Sequence, residues 1–269
     1  VNSRPELLSI IVPVYNEVRT VLAVIDRLRA IDLPVAREIL IVNDGSTDGT
    51  RDVLEDLRNR LPSAGHRLPG DGSREPEAEL NSGSRVTVIH AERNAGKGAA
   101  IRLGLDAAIG TIVAIQDADL ELDPQQLSAL VTPIVRGEAD VVYGSRFLAG
   151  RSAAPWVTIA ANRALTATTN ILFGSSITDM ETCYKIMRAD VARSLKLDAN
   201  RFDIEPQITA RLLAGGYRIH ELPVTFEPRS RAQGKKIGWR DGVRAIEVLV
   251  TERFRSASAK AQTPSPKSQ

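Results

Sequence analysis

Four short polar segments, each beside a run of apolar residues, carry the side chains best suited to chemistry. The densest is Gln116-Asp117-Ala118-Asp119-Leu120-Glu121-Leu122-Asp123, with a carboxylate at every second position. In an extended chain these would point the same way. Crowded like charges are unfavourable unless something neutralises them. A hard divalent cation bound by oxygens, with substrate phosphates completing its shell, would do so. Asp117 and Asp119 are therefore candidates for metal or substrate binding. Asp123, just before Pro124, reads instead as the cap of the next helix.

The second segment is Val42-Asn43-Asp44-Gly45-Ser46-Thr47-Asp48-Gly49-Thr50. Its residues 46–48 suit turn and cap chemistry. Asp44, at the strand end, could accept from a base N–H or a ribose hydroxyl. The third is Pro13-Val14-Tyr15-Asn16-Glu17, a weak signal alone. The fourth is Asn94-Ala95-Gly96-Lys97-Gly98 before a helix. Its glycines permit close backbone approach, and Lys97 near a helix N-terminus could sit by an anion. The spacing is not that of a Walker A loop, and no G-x-G-x-x-G follows the first strand. A P-loop ATPase and a dinucleotide oxidoreductase thus lack their fingerprints.

The elements that must position these segments alternate. Strands are predicted over 8–14, 38–43, 85–90, 111–116 and 139–143, and helices over 21–28, 48–61 and 97–109, with another opening at Pro124. Such alternation implies an α/β fold with a mostly parallel sheet between helices. Ligands of such sheets bind beyond the carboxyl ends of the strands. Residues 62–84 interrupt the pattern with three prolines and four glycines and read as a mobile insertion. Residues 256–269 read as a disordered tail, so a single domain over 1–255 is expected.

At 269 residues, 43% hydrophobic and 25% charged, the composition is that of a globular chain. Wholly disordered, collagen-like and coiled-coil readings are excluded. One cysteine, Cys183, leaves no disulfide framework and no Cys-rich metal site. Three scattered histidines have no metal spacing. The +2 balance and 4% aromatic content argue against a nucleic-acid binder. No stretch reaches the roughly 18 apolar residues of a spanning helix, and no signal-peptide core opens the sequence. A soluble or peripheral protein in a reducing cytoplasm is expected.

In order, the four segments resemble the family 2 glycosyltransferases of the GT-A fold, with Asp117-Ala118-Asp119 as the "DXD". Tyr143-Gly144-Ser145-Arg146-Phe147, Thr178-Asp179-Met180-Glu181-Thr182-Cys183-Tyr184-Lys185, Arg201-Phe202-Asp203-Ile204-Glu205 and the basic Arg229-Ser230-Arg231 with Gly234-Lys235-Lys236-Ile237 look like the polyprenyl-phosphate (dolichyl-phosphate) hexose synthase branch. The resemblance spans about residues 7–254 apart from 62–84. It implies that Pro13, Tyr15, Glu17 and Asp44 line a nucleotide pocket, with Asp117 near ribose and sugar. It implies that Asp119 ligates Mg²⁺ or Mn²⁺ at the diphosphate. Glu121, where mannosyl relatives often carry Gln, would be a further metal ligand. Arg146 and Arg163 match positions that hold a lipid phosphate, and Arg229, Arg231 and Lys235 lie on a loop that closes over the phosphates.

The implied reaction moves a hexose, with inversion, from a nucleotide-diphosphate sugar to a polyprenyl phosphate. The Gly96-Lys97-Gly98 run looks like the glucosyl and N-acetylhexosaminyl relatives, which favours a UDP-sugar such as UDP-glucose over GDP-mannose. A saccharide acceptor would need a carboxylate base, with Asp179 or Glu205 as candidates. A silent nucleotide-sugar binding module is disfavoured by the intact Asp117 and Asp119. Many relatives add membrane helices, and this sequence shows none. Segment 225–255 instead holds eight basic residues against four acidic. Its Val243, Ile246, Val250 and Phe254, beside Leu249, are expected to pack on the core, the alternative being an interfacial helix on anionic lipid. The partners expected are the sugar nucleotide, the lipid phosphate and the inner face of the cell membrane, with a separate membrane protein as an optional recruiter.

Overall fold

Strand β1 (Leu7–Val14) is apolar almost throughout because both its faces are covered, and all but Pro13 are buried. It lies between parallel partners β2 (Ala36–Asn43) and β4 (Ile112–Ile115), with β3 (Arg85–His90) outside β2. Helices α1 (Val21–Ala30), α2 (Thr50–Arg60) and α3 (Lys97–Ala107) lie between these strands in the chain. The computed structural model describes residues 6–61, 85–150, 154–228 and 239–262, with the backbone alone at 239–240 and 256–262. The stretch 62–84, expected to be a mobile insertion, lies outside the described residues.

The sheet then departs from pure alternation. Strand β5 (Val141–Ser145) does not pair with β4. The short β6 (Lys185–Arg188) enters between them, antiparallel to both, and β7 (Ile219–Pro223) adds parallel to β5. The order is β3-β2-β1-β4-β6-β5-β7. Helix α4 (Leu127–Val135) follows a 3₁₀ turn at Pro124–Gln126, where Asp123 accepts from the Gln125 amide at 3.2 Å, the cap read from the sequence. Helices α5 (Trp156–Phe173), α6 (Ala189–Ser194), α7 (Ile204–Ala214) and α8 (Trp239–Gln262) complete the layers. The result is the single α/β domain expected.

The chain runs outward from β1 to β3 and returns to β4 on the other side of β1. That reversal is a topological switch point, where such sheets open a crevice. Pro13 fits there. On the β4 side, Ile11 O accepts from the Gln116 amide at 3.0 Å, and on the β2 side Val14 O accepts from Asp44 at 2.8 Å. Alternation turns Pro13 toward β4 but past its end, so the missing N–H breaks no ladder bond.

Two expectations about the C-terminus are corrected. Helix α8 continues to Gln262, so the tail expected from Ser256 is helical in its first half. Alanines at 257, 259 and 261 favour helix there. The stripe expected to face the core faces outward. Val243, Ile246, Val250 and Phe254 are exposed, whereas Ala245, Leu249 and Glu252 are buried against α5 and α7. The inner seam carries a polar anchor that hydrophobic periodicity does not register: Glu252 accepts from Arg211 Nη2 at 2.6 Å and Gln207 Nε2 at 3.1 Å.

Candidate active site

At the carboxyl ends of β1 and β2, two loops are tied together. Asn16, in the left-handed region at φ 53°, accepts the Thr47 amide at 2.8 Å and donates its own amide to Ser46 Oγ at 3.0 Å. Asp48 accepts from the Val18 and Thr50 amides at 3.3 and 3.0 Å. Burial opposes its charge, but the Thr50 hydroxyl and these amides hold the carboxyl below its usual range. Glu17 is buried; its carboxylate accepts the Thr20 hydroxyl at 2.9 Å, and its carbonyl receives the first amides of α1. Pro13 and Tyr15 are half-buried on the same edge.

Asp44, expected to contact the nucleotide, is bonded within the protein. Its two oxygens accept from the Ala95 and Gly96 amides at 2.8 and 2.7 Å, and the residue is 2% exposed. It supports the turn that starts α3. The glycines of that turn are a packing requirement. Gly96 has φ 104°, and a Cβ there or at Gly98 would collide with the carbonyls of Asn200 and Ala199.

Beyond β4 the chain does not stay extended. It turns through 118–122, with Leu120 at φ 61°, so the every-second-residue alignment of an extended chain is lost. Asp119 Oδ1 accepts the Glu121 amide at 3.1 Å. Asp117 meets Lys97 Nζ at 2.8 Å, which also lies 2.8 Å from Glu205 Oε1. Glu205 Oε2 is 2.5 Å from Lys185 Nζ, a fully buried ammonium that also donates to Met180 O and Thr182 O. These four side chains form a row of alternating charge. Burial alone would lower the Lys97 pKa, but the flanking carboxylates push it well above its usual value; burial alone would raise that of Asp117, but Lys97 brings it down. Lys97, expected beside a ligand anion, already holds two carboxylates. Glu205, a candidate base, already holds two ammoniums.

On the far side of β6, at the end of β5, sits Arg146. Its amide and Nε donate to Asp179 Oδ2 at 3.0 and 2.7 Å, and Nη2 to Oδ1 at 2.8 Å. Asp179 is fully buried, and its amide and that of Thr178 donate to Glu221 at 3.1 and 2.7 Å. Asp179, the other candidate base, is therefore engaged in fixing Arg146. The Arg146 guanidinium lies 5.2 Å from the Phe226 ring centre and 6.0 Å from that of Phe147, with Arg163 5.7 Å from Phe147. Two arginines distant in sequence thus share one ring. One acid here was not singled out from the sequence. Glu181 Oε1 is buried without a hydrogen-bond partner, and burial above all pushes its carboxyl up to about 7. Its presence in the 178–185 motif was the only signal.

Arg229, Arg231 and Lys235 lie outside the described residues. The segment leading to them is moored beside the Asp119 turn, since the Glu227 amide donates to Glu121 O at 2.9 Å and the Thr225 amide to Gln126 Oε1 at 2.6 Å. Among the described residues, no three His, Cys, Asp or Glu side chains are grouped to hold a metal unaided. Asp119 and Glu121 are two carboxylates on one turn. That donor set suits a hard cation that takes one or two carboxylates and completes its shell with phosphates and water.

The model of the family described as "Glycosyl transferase family 2" matches residues 9–196. The chain is 27% identical over 237 residues to polyprenol monophosphomannose synthase of Mycolicibacterium smegmatis, covering 85% of this chain and 80% of that protein. It is 29% identical over 247 residues to undecaprenyl-phosphate mannosyltransferase of Micrococcus luteus, covering 88% and 90%. A solved structure of Mycobacterium tuberculosis glucosyl-3-phosphoglycerate synthase, in complex with Mn²⁺, UDP and glucosyl-3-phosphoglycerate, aligns with TM-score 0.65 over 94% of this chain and 80% of that one. Its 17% identity makes that a likeness of fold. With a β1/β4 switch point in its sheet and a family model matching most of its length, the chain belongs to glycosyl transferase family 2 and is a GT-A glycosyltransferase.

Proposed function

We propose that this enzyme transfers a hexose, with inversion, from a nucleotide-diphosphate sugar to a polyprenyl phosphate. The observation that carries this reading is the convergence of Arg146 and Arg163 on Phe147, with Arg146 locked by Asp179. A guanidinium fixed through one edge keeps its remaining N–H groups for a phosphate, whose geometry arginine matches. The two curated relatives, named for polyprenol and undecaprenyl phosphate, support the acceptor class. An acceptor phosphate with a second pKa of about 6 is mostly a dianion near neutral pH, so its oxygen attacks the anomeric carbon without a strong base. The engagement of Asp179 and Glu205 with cations agrees with that chemistry and disfavours a saccharide acceptor.

Asp119 and Glu121 would hold Mg²⁺ or Mn²⁺, which when bound supplies positive charge to the leaving diphosphate. Arg229, Arg231 and Lys235 would add to that charge, and the mooring of residues 225–227 beside Glu121 supports this. Asp117, pinned by Lys97, orients the ribose or sugar; Pro13, Tyr15 and Glu17 line the nucleotide pocket, with Asp44 supporting its wall. The UDP preference drawn from Gly96-Lys97-Gly98 loses its basis, because the glycines serve packing and Lys97 is paired within the protein. Both relatives are named for mannose, so GDP-mannose stands level with UDP-hexoses. Purified protein with Mn²⁺ or Mg²⁺, a short polyprenyl phosphate and each donor in turn decides by mass spectrometry. A lipid phosphosugar fixes donor and acceptor together; donor consumption without one counts against the reading.

Arg146→Ala should raise the acceptor KM by about 10- to 100-fold, the worth of a charge-assisted contact, and leave the donor KM nearly unchanged. Asp179→Asn should shift the same constant in the same direction by less. An unaltered acceptor KM and rate in Arg146→Ala would contradict the assignment.

The enzyme would meet its lipid at a membrane surface, on the cytoplasmic side. Among the described residues no helix is long and apolar enough to cross a membrane. Helix α8 nevertheless turns Val243, Ile246, Val250 and Phe254 outward, and α5, packed on it, exposes Trp156, Val157 and Ile171. With the basic excess of segment 225–255, this suits an interfacial contact with anionic lipid. The double variant Ile246→Glu/Phe254→Glu should lose most co-sedimentation with phosphatidylglycerol-containing vesicles while melting like wild type. Equal sedimentation would remove α8 from the contact.

A further inference from the structure

Glu181 lies in a segment tied down by hydrogen bonds on both sides. The Met180 amide donates to Thr166 Oγ1 at 3.2 Å, and the Thr182 hydroxyl donates to Gly144 O at 2.5 Å. The carbonyls on either side of Glu181, of Met180 and Thr182, both accept from the buried Lys185 ammonium. Two residues earlier, Asp179 has both oxygens on Arg146. Within this bonded segment Glu181 Oε1 is buried with no partner. The cations nearby are already committed, Lys185 to Glu205 and Arg146 to Asp179.

Groups from β6, α7, the end of β5 and its own segment act on this carboxyl. Burial raises its pKa most; Lys185 of β6 and Arg146 after β5 lower it; Glu205 of α7 and Asp179 of its own segment raise it. A carboxyl with one buried oxygen unbonded, two residues from the aspartate that holds Arg146, has bonding capacity that a ligand can complete. We infer that Glu181, as the neutral acid, donates a hydrogen bond to a non-attacking oxygen of the acceptor phosphate beside Arg146, an inference that rests on the phosphate-acceptor reading above. Proton accounting supports the arrangement. One proton is shared between carboxyl and phosphate, whose second pKa is about 6. Burial raises the Glu181 carboxyl to about 7, which favours the proton on Glu181 and leaves the phosphate as the nucleophilic dianion. Once Glu181 ionises, a carboxylate faces that dianion and repels it.

The test is steady-state kinetics from pH 6 to 9 with a short polyprenyl phosphate and the donor identified by the screen. In wild type, kcat/KM for the acceptor should fall above about pH 7 by up to about tenfold per unit, the limit for one ionisation. The donor kcat/KM at saturating acceptor should lack that break. Glu181→Gln, neutral and still a donor, should hold its acceptor kcat/KM flat from pH 7 to 9 and exceed wild type at pH 9. Glu181→Asp should keep a break. A wild-type acceptor profile without the break overturns the inference even if the variants fail to fold, as does a Glu181→Gln profile that superimposes on wild type. Absence of any lipid phosphosugar from the wild-type enzyme is a separate result, which overturns the acceptor reading and this inference with it.

Discussion

Asp119→Ala should lower turnover by on the order of 10³-fold or more, while the melting temperature stays near that of wild type. The kinetic loss follows from charge. In the proposed reaction a diphosphate leaves, and a divalent cation is worth several kcal/mol of transition-state stabilisation there; each 1.36 kcal/mol is about tenfold in rate. The stability cost should be small beside the kinetic loss because Asp119 is half-buried in a turn outside the sheet, where one of its contacts is the Glu121 amide, accepted at 3.1 Å. A net hydrogen bond of this kind contributes about 1 kcal/mol. Turnover under Mn²⁺ titration and a thermal melt of the same preparation make the comparison. Full activity of the variant with the metal chelated would remove Asp119 from the metal site.

The opposite pattern is expected at Lys185. Lys185→Met should destabilise the protein by about 3–5 kcal/mol, the range for removing one partner of a buried ion pair. Lys185 is fully buried, bonded to Glu205 at 2.5 Å and to two carbonyls of the 178–184 segment. Without it Glu205 keeps Lys97, but Lys97 is shared with Asp117. The buried carboxylate is then undercompensated, and the segment that carries Asp179 and Glu181 loses its anchor. The double variant Lys185→Met/Glu205→Leu should recover much of the loss, since apolar groups of similar volume can replace a buried pair. Urea midpoints at constant m-value measure both. A single variant within 1 kcal/mol of wild type would show that the row of charges contributes little to stability.

The two variants separate the roles of carboxylates and lysines that are close in sequence type. Asp117 and Asp119 form one motif, yet the structure assigns them different partners: Asp117 is pinned by an ammonium, and Asp119 sits in a turn with Glu121. The same contrast holds between Asp179 and Glu181. Asp179 spends both oxygens on Arg146, and Glu181 Oε1 has no partner.

Much of the first half of the fold is determined by sequence alone, because its causes are local. The apolar runs of β1, β2 and β4 must be buried on both faces, and Pro124 after Asp123 must open a helix with that cap. The order of strand-end motifs likewise places Pro13, Asp44 and Asp117 at the carboxyl edge of one parallel sheet. Only the tertiary structure decides which charges meet. Lys97 and Glu205 are over a hundred residues apart, and Arg146 and Asp179 thirty-three. Strand β6, four residues long and antiparallel, is too short to declare itself by periodicity, yet it carries Lys185 into the centre. The direction of the α8 stripe was also hidden, because a buried Glu252–Arg211 pair, rather than the larger apolar side chains, sets which face turns inward. Periodicity reports what a segment would bury if apolar area alone chose. Ion pairing in the interior depends on through-space neighbours, and those exist only once the chain has folded.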